Sequence, residues 1–177
     1  MAHVLCLQPE EYRHLELKRV LGRPADGLRH RVESVTGWSG LMVRCRVPPS
    51  PVLVAVVDPY VPTSGRRPDG LQAEPLGRLR DRFPSVGVVA CFEVRPGRIR
   101  DVVRLVEIGV REVVDWSEED APSRLRRAVA RAASGRGDRL REALRARYAA
   151  RPSWPAVDYV FAEPRPGLTV RGLARAH

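Results

Sequence analysis

The chain has 177 residues, 44% of them hydrophobic, and carries 31 Lys and Arg against 21 Asp and Glu, a net charge of +10. That composition is ordinary for a globular protein, and the length suffices for one domain with a packed core plus about forty residues of something else. No apolar run approaches the ~18 residues of a membrane span, and the start MAHVLCLQPEEY has no basic-then-apolar leader pattern, so a soluble, cytoplasmic protein with no membrane partner is expected. The cysteines Cys6, Cys45 and Cys91 are odd in number and each lies in an apolar setting, which reads as buried, reduced thiols. The charge is uneven. Residues 1–120 hold 18 basic and 17 acidic residues, whereas residues 121–177 hold 13 Arg and 4 acids. A basic C-terminal third suits nucleic acid or an acidic partner, although nearly all basic residues are Arg and composition alone inflates such a count.

His3–Leu7 is a short apolar run suited to a strand. Pro9 interrupts it, and Glu10 and Glu11 start a helical pattern with Tyr12, Leu15 and Arg19 on one side and Leu17, Val20 and Leu21 close by. GRPADG is a turn, and His30–Val35 is β-capable. Thr36 is placed to cap a helix in which Trp38, Leu41, Met42 and Cys45 recur at spacings of three and four, until Pro48, Pro49 and Pro51 stop it. Val52–Val57 is continuously apolar and rich in β-branched residues, as a strand buried on both faces must be, and it ends in Asp58. After the loop PTSGRRPDG, Leu76, Leu79 and Phe83 mark a helix ended by Pro84. Val86–Cys91 is a second buried run. Ile99, Val102, Val103 and Val106 share a helix face, with Gly109 placed for a left-handed cap and Val110–Val114 as a strand after it. Glu118, Glu119 and Asp120 sit where a helix dipole favours acids, and Leu125, Ala128, Val129 and Ala132 line the buried face of that last helix.

Strand and helix alternate five times, with strands centred near residues 5, 33, 55, 89 and 112. This predicts a three-layer, doubly wound α/β domain with a five-stranded parallel sheet over residues 1–133, followed by a helical C-terminal extension. Reactive groups in such sheets lie beyond the carboxyl ends of the strands, where Asp58 falls. ASGRGD opens a linker and short helix over 134–152, with Leu140, Ala143, Leu144 and Tyr148 on one face. Residues 153–177 hold a second helical piece around Trp154, Val157, Val160 and Phe161, and then LTVRGLARAH. So few apolar residues cannot make a second core.

The segments HVLCLQPEEYRHLELKRVL, VLVAVVDPY, RFPSVGVVACFE and VVRLVEIGVREVVD, in that order, resemble the CheY-like receiver domain of bacterial response regulators over residues 3–133. The resemblance implies the receiver (flavodoxin-like) fold and places Asp58 at the phosphoacceptor position. It implies an acidic pair after the first strand, and those positions read Gln8 and Pro9, with Glu10 next as a residual cation-site acid. The hydroxyl residue implied after the fourth strand falls on Cys91 or Phe92, and the implied lysine falls near Asp115, Trp116 or Ser117. Transfer of a phosphoryl group to a carboxylate needs a cation held by several oxygen ligands, and one carboxylate with one helper is a poor site for it. Asp58 therefore reads as a strand-end acid hydrogen-bonded to the loop before Pro59, as a phosphoacceptor, or as a residual ligand or cation site. LTVRGLA, within residues 153–177, resembles the opening of an AraC/XylS-type helix-turn-helix domain, cut short before its recognition helix. On that resemblance Arg165, Arg171 and Arg175 are DNA phosphate contacts. LTVRGLARAH also reads as a plain amphipathic tail.

Two functions follow as expectations. One is a degenerate receiver-like regulatory module of a transcription regulator, not phosphorylated, forming a homodimer and binding DNA weakly and without sequence preference. The other is a stand-alone interaction or dimerisation module with no DNA role. No cofactor is expected: His3, His14, His30 and His177 lack metal-ligand spacing, and no glycine-rich phosphate loop is present. No loop gathers catalytic groups, so no enzyme is expected.

Overall fold

The computed structural model describes residues 2–22, 30–46, 53–63 and 70–135. The elements read from 136 onward, and with them Arg165, Arg171 and Arg175, lie outside the described residues. Within them the order is β1 (His3–Leu7), α1 (Glu11–Gly22), β2 (Arg31–Ser34), α2 (Gly37–Arg46), β3 (Leu53–Val57), α3 (Ala73–Arg82), β4 (Gly87–Phe92), a 3-10 turn (Pro96–Arg98), α4 (Ile99–Ile108), β5 (Glu112–Asp115) and α5 (Ala121–Ser134). The strands form one sheet in the order β2-β1-β3-β4-β5, every pair parallel. This is the expected receiver-like α/β fold.

The apolar run around residue 55 becomes the central strand because all five residues of β3 are buried, with β1 in register on one side (His3 opposite Leu53, Leu7 opposite Val57) and β4 on the other (Val57 opposite Ala90). Side chains alternate between two cores, as the two-residue period of a strand requires. Leu5, Leu7, Leu53, Ala55, Val57, Ala90 and Phe92 meet Trp38 and Leu41 of α2, Leu76 and Leu79 of α3, and Leu105 of α4. Val4, Cys6, Val54, Val56, Val89 and Cys91 meet Leu17, Val20 and Leu21 of α1 and Leu125, Ala128, Val129 and Ala132 of α5. Where α5 crosses β4, a Cβ on Gly87 would stand 2.7 Å from the Ala132 carbonyl oxygen, so only glycine fits that approach. The three cysteines are buried free thiols, and burial pushes the Cys45 thiol up to about 11.

One strand boundary is corrected, and on two helices packing decides which apolar side chains are buried. Val110 is not in a strand: Gly109 takes the left-handed cap (φ 87°) and Val110 donates its N–H to the Leu105 carbonyl, so that amide closes α4 and cannot join a ladder. Only Val102 of the apolar face read on α4 is half-buried. Ile99, Val103 and Val106 are 61%, 56% and 60% exposed, and Leu105 is the residue driven into the core. The reason is position, because α4 leans on α3 beside the short edge strand β5 and has little sheet beneath it. In α1, likewise, Tyr12 and Leu15 face outward while Leu17, Val20 and Leu21 are buried.

Candidate functional site

Parallel pairing brings the carboxyl ends of β1, β3 and β4 to one edge of the sheet, and the residues that leave those ends build a cleft of about 330 Å³. Asp58 follows β3 directly. Its N–H donates to the Leu7 carbonyl at 2.8 Å, which extends the β1–β3 ladder, and its Oδ1 accepts the Tyr60 N–H at 2.9 Å across Pro59. The residue is 6% exposed. Burial raises its pKa above the ordinary carboxylate value. The Tyr60 bond, Arg13 and Arg98 pull it back down, and Glu10 adds to the rise.

Two guanidinium groups face this acid. Arg13, in the first turn of α1, is largely buried and donates from Nη2 to Glu93 Oε1 at 2.5 Å, with its Nε 3.6 Å from Glu10 Oε2. Arg98 lies 3.9 Å above the ring of Tyr60, whose hydroxyl donates to Asp101 at 2.5 Å and whose edge packs on Phe92, ring centres 5.4 Å apart. The cleft walls carry Glu10, Asp58 and Glu93 against Arg13, Arg95 and Arg98, three charges of each sign. Asp58 and Glu10 thus share one site, and the chain's own cations stand where their charge needs balancing. Among the described residues, no three His, Cys, Asp or Glu side chains gather as a metal site.

The other positions singled out in the sequence offer no phosphoryl-transfer groups. Cys91 and Phe92 are both buried in β4 and present no hydroxyl. At the end of β5 stands Asp115, an acid near where the resemblance places a lysine. Its Oδ1 accepts the Val94 N–H at 3.1 Å, the Ser117 N–H at 2.9 Å and the Ser117 hydroxyl at 2.7 Å. Desolvation opposes ionisation of Asp115, but these bonds and Arg124 outweigh it and hold the group below the ordinary carboxylate value. Sequence reasoning missed Arg13, Tyr60, Glu93 and Arg98. Glu93 was within reach of the carboxyl-edge rule, since it follows β4 as Asp58 follows β3. Arg98 had no sequence signal, because the 3-10 turn that brings it over Tyr60 was not foreseen.

No protein-family model and no curated protein matches the chain. Solved structures do. A protein from Burkholderia thailandensis described as a pilus assembly protein is 22% identical, with a TM-score of 0.56 over 76% of this chain and 99% of that one. A CheY-like response regulator receiver domain from Methanospirillum hungatei is 12% identical, with a TM-score of 0.59 over 78% of this chain and 98% of the other. NtrX from Brucella abortus is 16% identical, with a TM-score of 0.60 over 82% of this chain and 29% of NtrX. At such identities the likeness establishes the fold alone, that of a receiver domain.

Proposed function

We propose that the domain is a degenerate receiver-like regulatory module that works without Mg²⁺-dependent phosphorylation. The observation that carries this reading is the occupation of the Asp58 cleft by Arg13 and Arg98, which supply counter-charge that a divalent ion would otherwise bring. A cation entering there must displace the guanidinium pairs of Glu10 and Glu93 or share a cleft with them, which costs binding energy. The incoming phosphoryl oxygens would also find no hydroxyl from β4, and the end of β5 carries the acid Asp115 rather than a cation. The test is incubation of the chain with acetyl phosphate and Mg²⁺, followed by intact-mass measurement. No phosphate adduct is expected, and a stoichiometric adduct that disappears in Asp58→Ala would overturn the reading.

In this proposal the module belongs to a transcription regulator, and segment 153–177 contributes DNA phosphate contacts through Arg165, Arg171 and Arg175. The receiver likeness and the basic C-terminal third support it. A second reading, a stand-alone interaction or dimerisation module, is favoured by the exposed apolar stripe Ile99, Val103 and Val106 on α4. Three of the four arginines of α5, Arg124, Arg127 and Arg131, do not add to it. Arg131 holds Glu112 through two bonds of 2.7 Å, Arg124 pairs with Glu118, and Arg127 lies 3.8 Å from Asp120, so each has a partner within its own chain.

A further inference from the structure

The helix α4 is held to the domain differently from α5. Of its ten residues only Leu105 is buried, whereas α5 buries Ala121, Leu125, Ala128, Val129 and Ala132. Val102 and Ile108 are half-buried against the same core as Leu105, and Ile99, Val103 and Val106 point outward. Apolar burial holds an element in proportion to the area it removes from water, so a helix with one buried side chain belongs to the part of a fold that opens first.

Polar contacts hold α4 instead, one set at each end. At its carboxyl end Arg80 of α3 donates to the Ile108 carbonyl. At its amino end one residue gathers the contacts. Tyr60 donates its hydroxyl to Asp101 Oδ2 at 2.5 Å, in the first turn of α4, and its ring lies 3.9 Å from the guanidinium of Arg98, the residue before the helix. Toward the sheet, the edge of Tyr60 packs on Phe92 of β4 and its N–H donates to Asp58 Oδ1. The backbone beside it is fixed as well, because Trp38 of α2 donates its indole N–H to the Val61 carbonyl at 2.8 Å. We propose that Tyr60 is a latch: while its hydroxyl holds Asp101, α4 stays docked, and when that bond opens α4 leaves the sheet as one unit. The open form adds Val102, Leu105 and Ile108 to the exposed apolar side chains and uncovers the part of the core that Leu105 closes. The latch is a moving part for the module, and it holds whether or not Asp58 accepts phosphate.

The test is amide hydrogen exchange of the full ¹⁵N-labelled chain, read by NMR at Val103–Ile108 of α4 and at Val54–Val57 of β3 as the reference. In the parent the α4 amides should exchange as a group and, corrected for intrinsic rates, faster than those of β3. Tyr60→Phe keeps the ring against Phe92 and Arg98 and removes only the hydroxyl. It should speed exchange of the whole α4 group about tenfold relative to β3, the worth of one hydrogen bond to a charged acceptor. Asp101→Asn retains an acceptor oxygen and should keep most of the protection, whereas Asp101→Ala should lose it. Tyr60→Phe added to Asp101→Ala should change nothing further, which separates the latch from the effect of the carboxylate on the helix start. A merely structural Tyr60 would speed exchange in β3 and α4 alike. That result would overturn the inference, as would a change confined to the amides nearest Asp101, or no change in α4 relative to β3.

Discussion

Asp58 carries the first prediction, because its burial and its neighbours pull in opposite directions and burial wins. An acid whose pKa is raised in the folded state holds its proton there at a pH where the unfolded chain has released it. Its contribution to stability is therefore fully present below the ordinary carboxylate value and is lost as pH rises through the raised folded value. Asp58→Asn retains an oxygen to accept the Tyr60 N–H and removes the cost of the buried charge. At neutral pH the variant is expected to melt a few degrees higher than the parent, the size of change that about 1 kcal/mol produces in a chain this long. The gain should shrink as pH falls toward the carboxylate range. Melting curves at a series of pH values read this directly, and a variant less stable at every pH would mean that the Arg13 and Arg98 charges outweigh burial.

At the scale of elements, β3 and α4 make contrasting predictions. Leu53 opens the central strand at 4% exposure, with β1 and β4 on either side. Leu53→Asp buries an unpaired charge at a cost of several kcal/mol, comparable to the stability of a whole domain. Loss of the cooperative thermal transition in circular dichroism is expected, and an unchanged melt would remove β3 from the centre of the sheet. On α4, Val103 and Val106 project outward, so Val103→Glu with Val106→Glu should leave melting within about 1 kcal/mol of the parent. If the domain forms a symmetric dimer through this stripe, the same pair of substitutions should turn it into a monomer in sedimentation at micromolar concentration. A parent chain that sediments as a monomer would eliminate the dimer.

For the whole molecule, charge is the property that decides. Residues 121–177 carry a net +9, but the described arginines Arg124, Arg127 and Arg131 are already paired with acids of the domain. The surplus falls to residues 136–177, which hold 9 Arg and 4 acids. Contacts of that kind are made to phosphate, carry no sequence information and weaken steeply with salt. Fluorescence anisotropy with several unrelated duplexes should therefore give similar weak affinities at about 50 mM salt, falling on the order of 10²-fold by about 200 mM. Tight binding to one sequence that persists at the higher salt would show a defined base-reading element. No binding at low salt would favour the interaction module.

The α/β alternation, the buried central strand and the placement of Asp58 at a strand end were all legible in the sequence. Each depends on local patterns: β-branched runs of five or six residues, prolines and glycines between them, and a period that switches between two and three to four. The partners of the site were not legible. Arg13 and Glu93 are eighty positions apart, and their meeting depends on β1 and β4 flanking β3, a choice of strand order that no local pattern records. The outward turn of Ile99, Val103 and Val106 came from the same source. Their spacing predicts an apolar face, but how much sheet lies beneath a helix depends on which strand is the edge. The Gln8 amide is the extreme case: a glutamine after a strand reads as a solvated loop residue, yet its Nε2 is buried with no hydrogen-bond partner among the described residues. Periodicity records which faces are apolar. The packing of distant loops decides which polar atoms are buried without a partner, and that is a property of the folded chain alone.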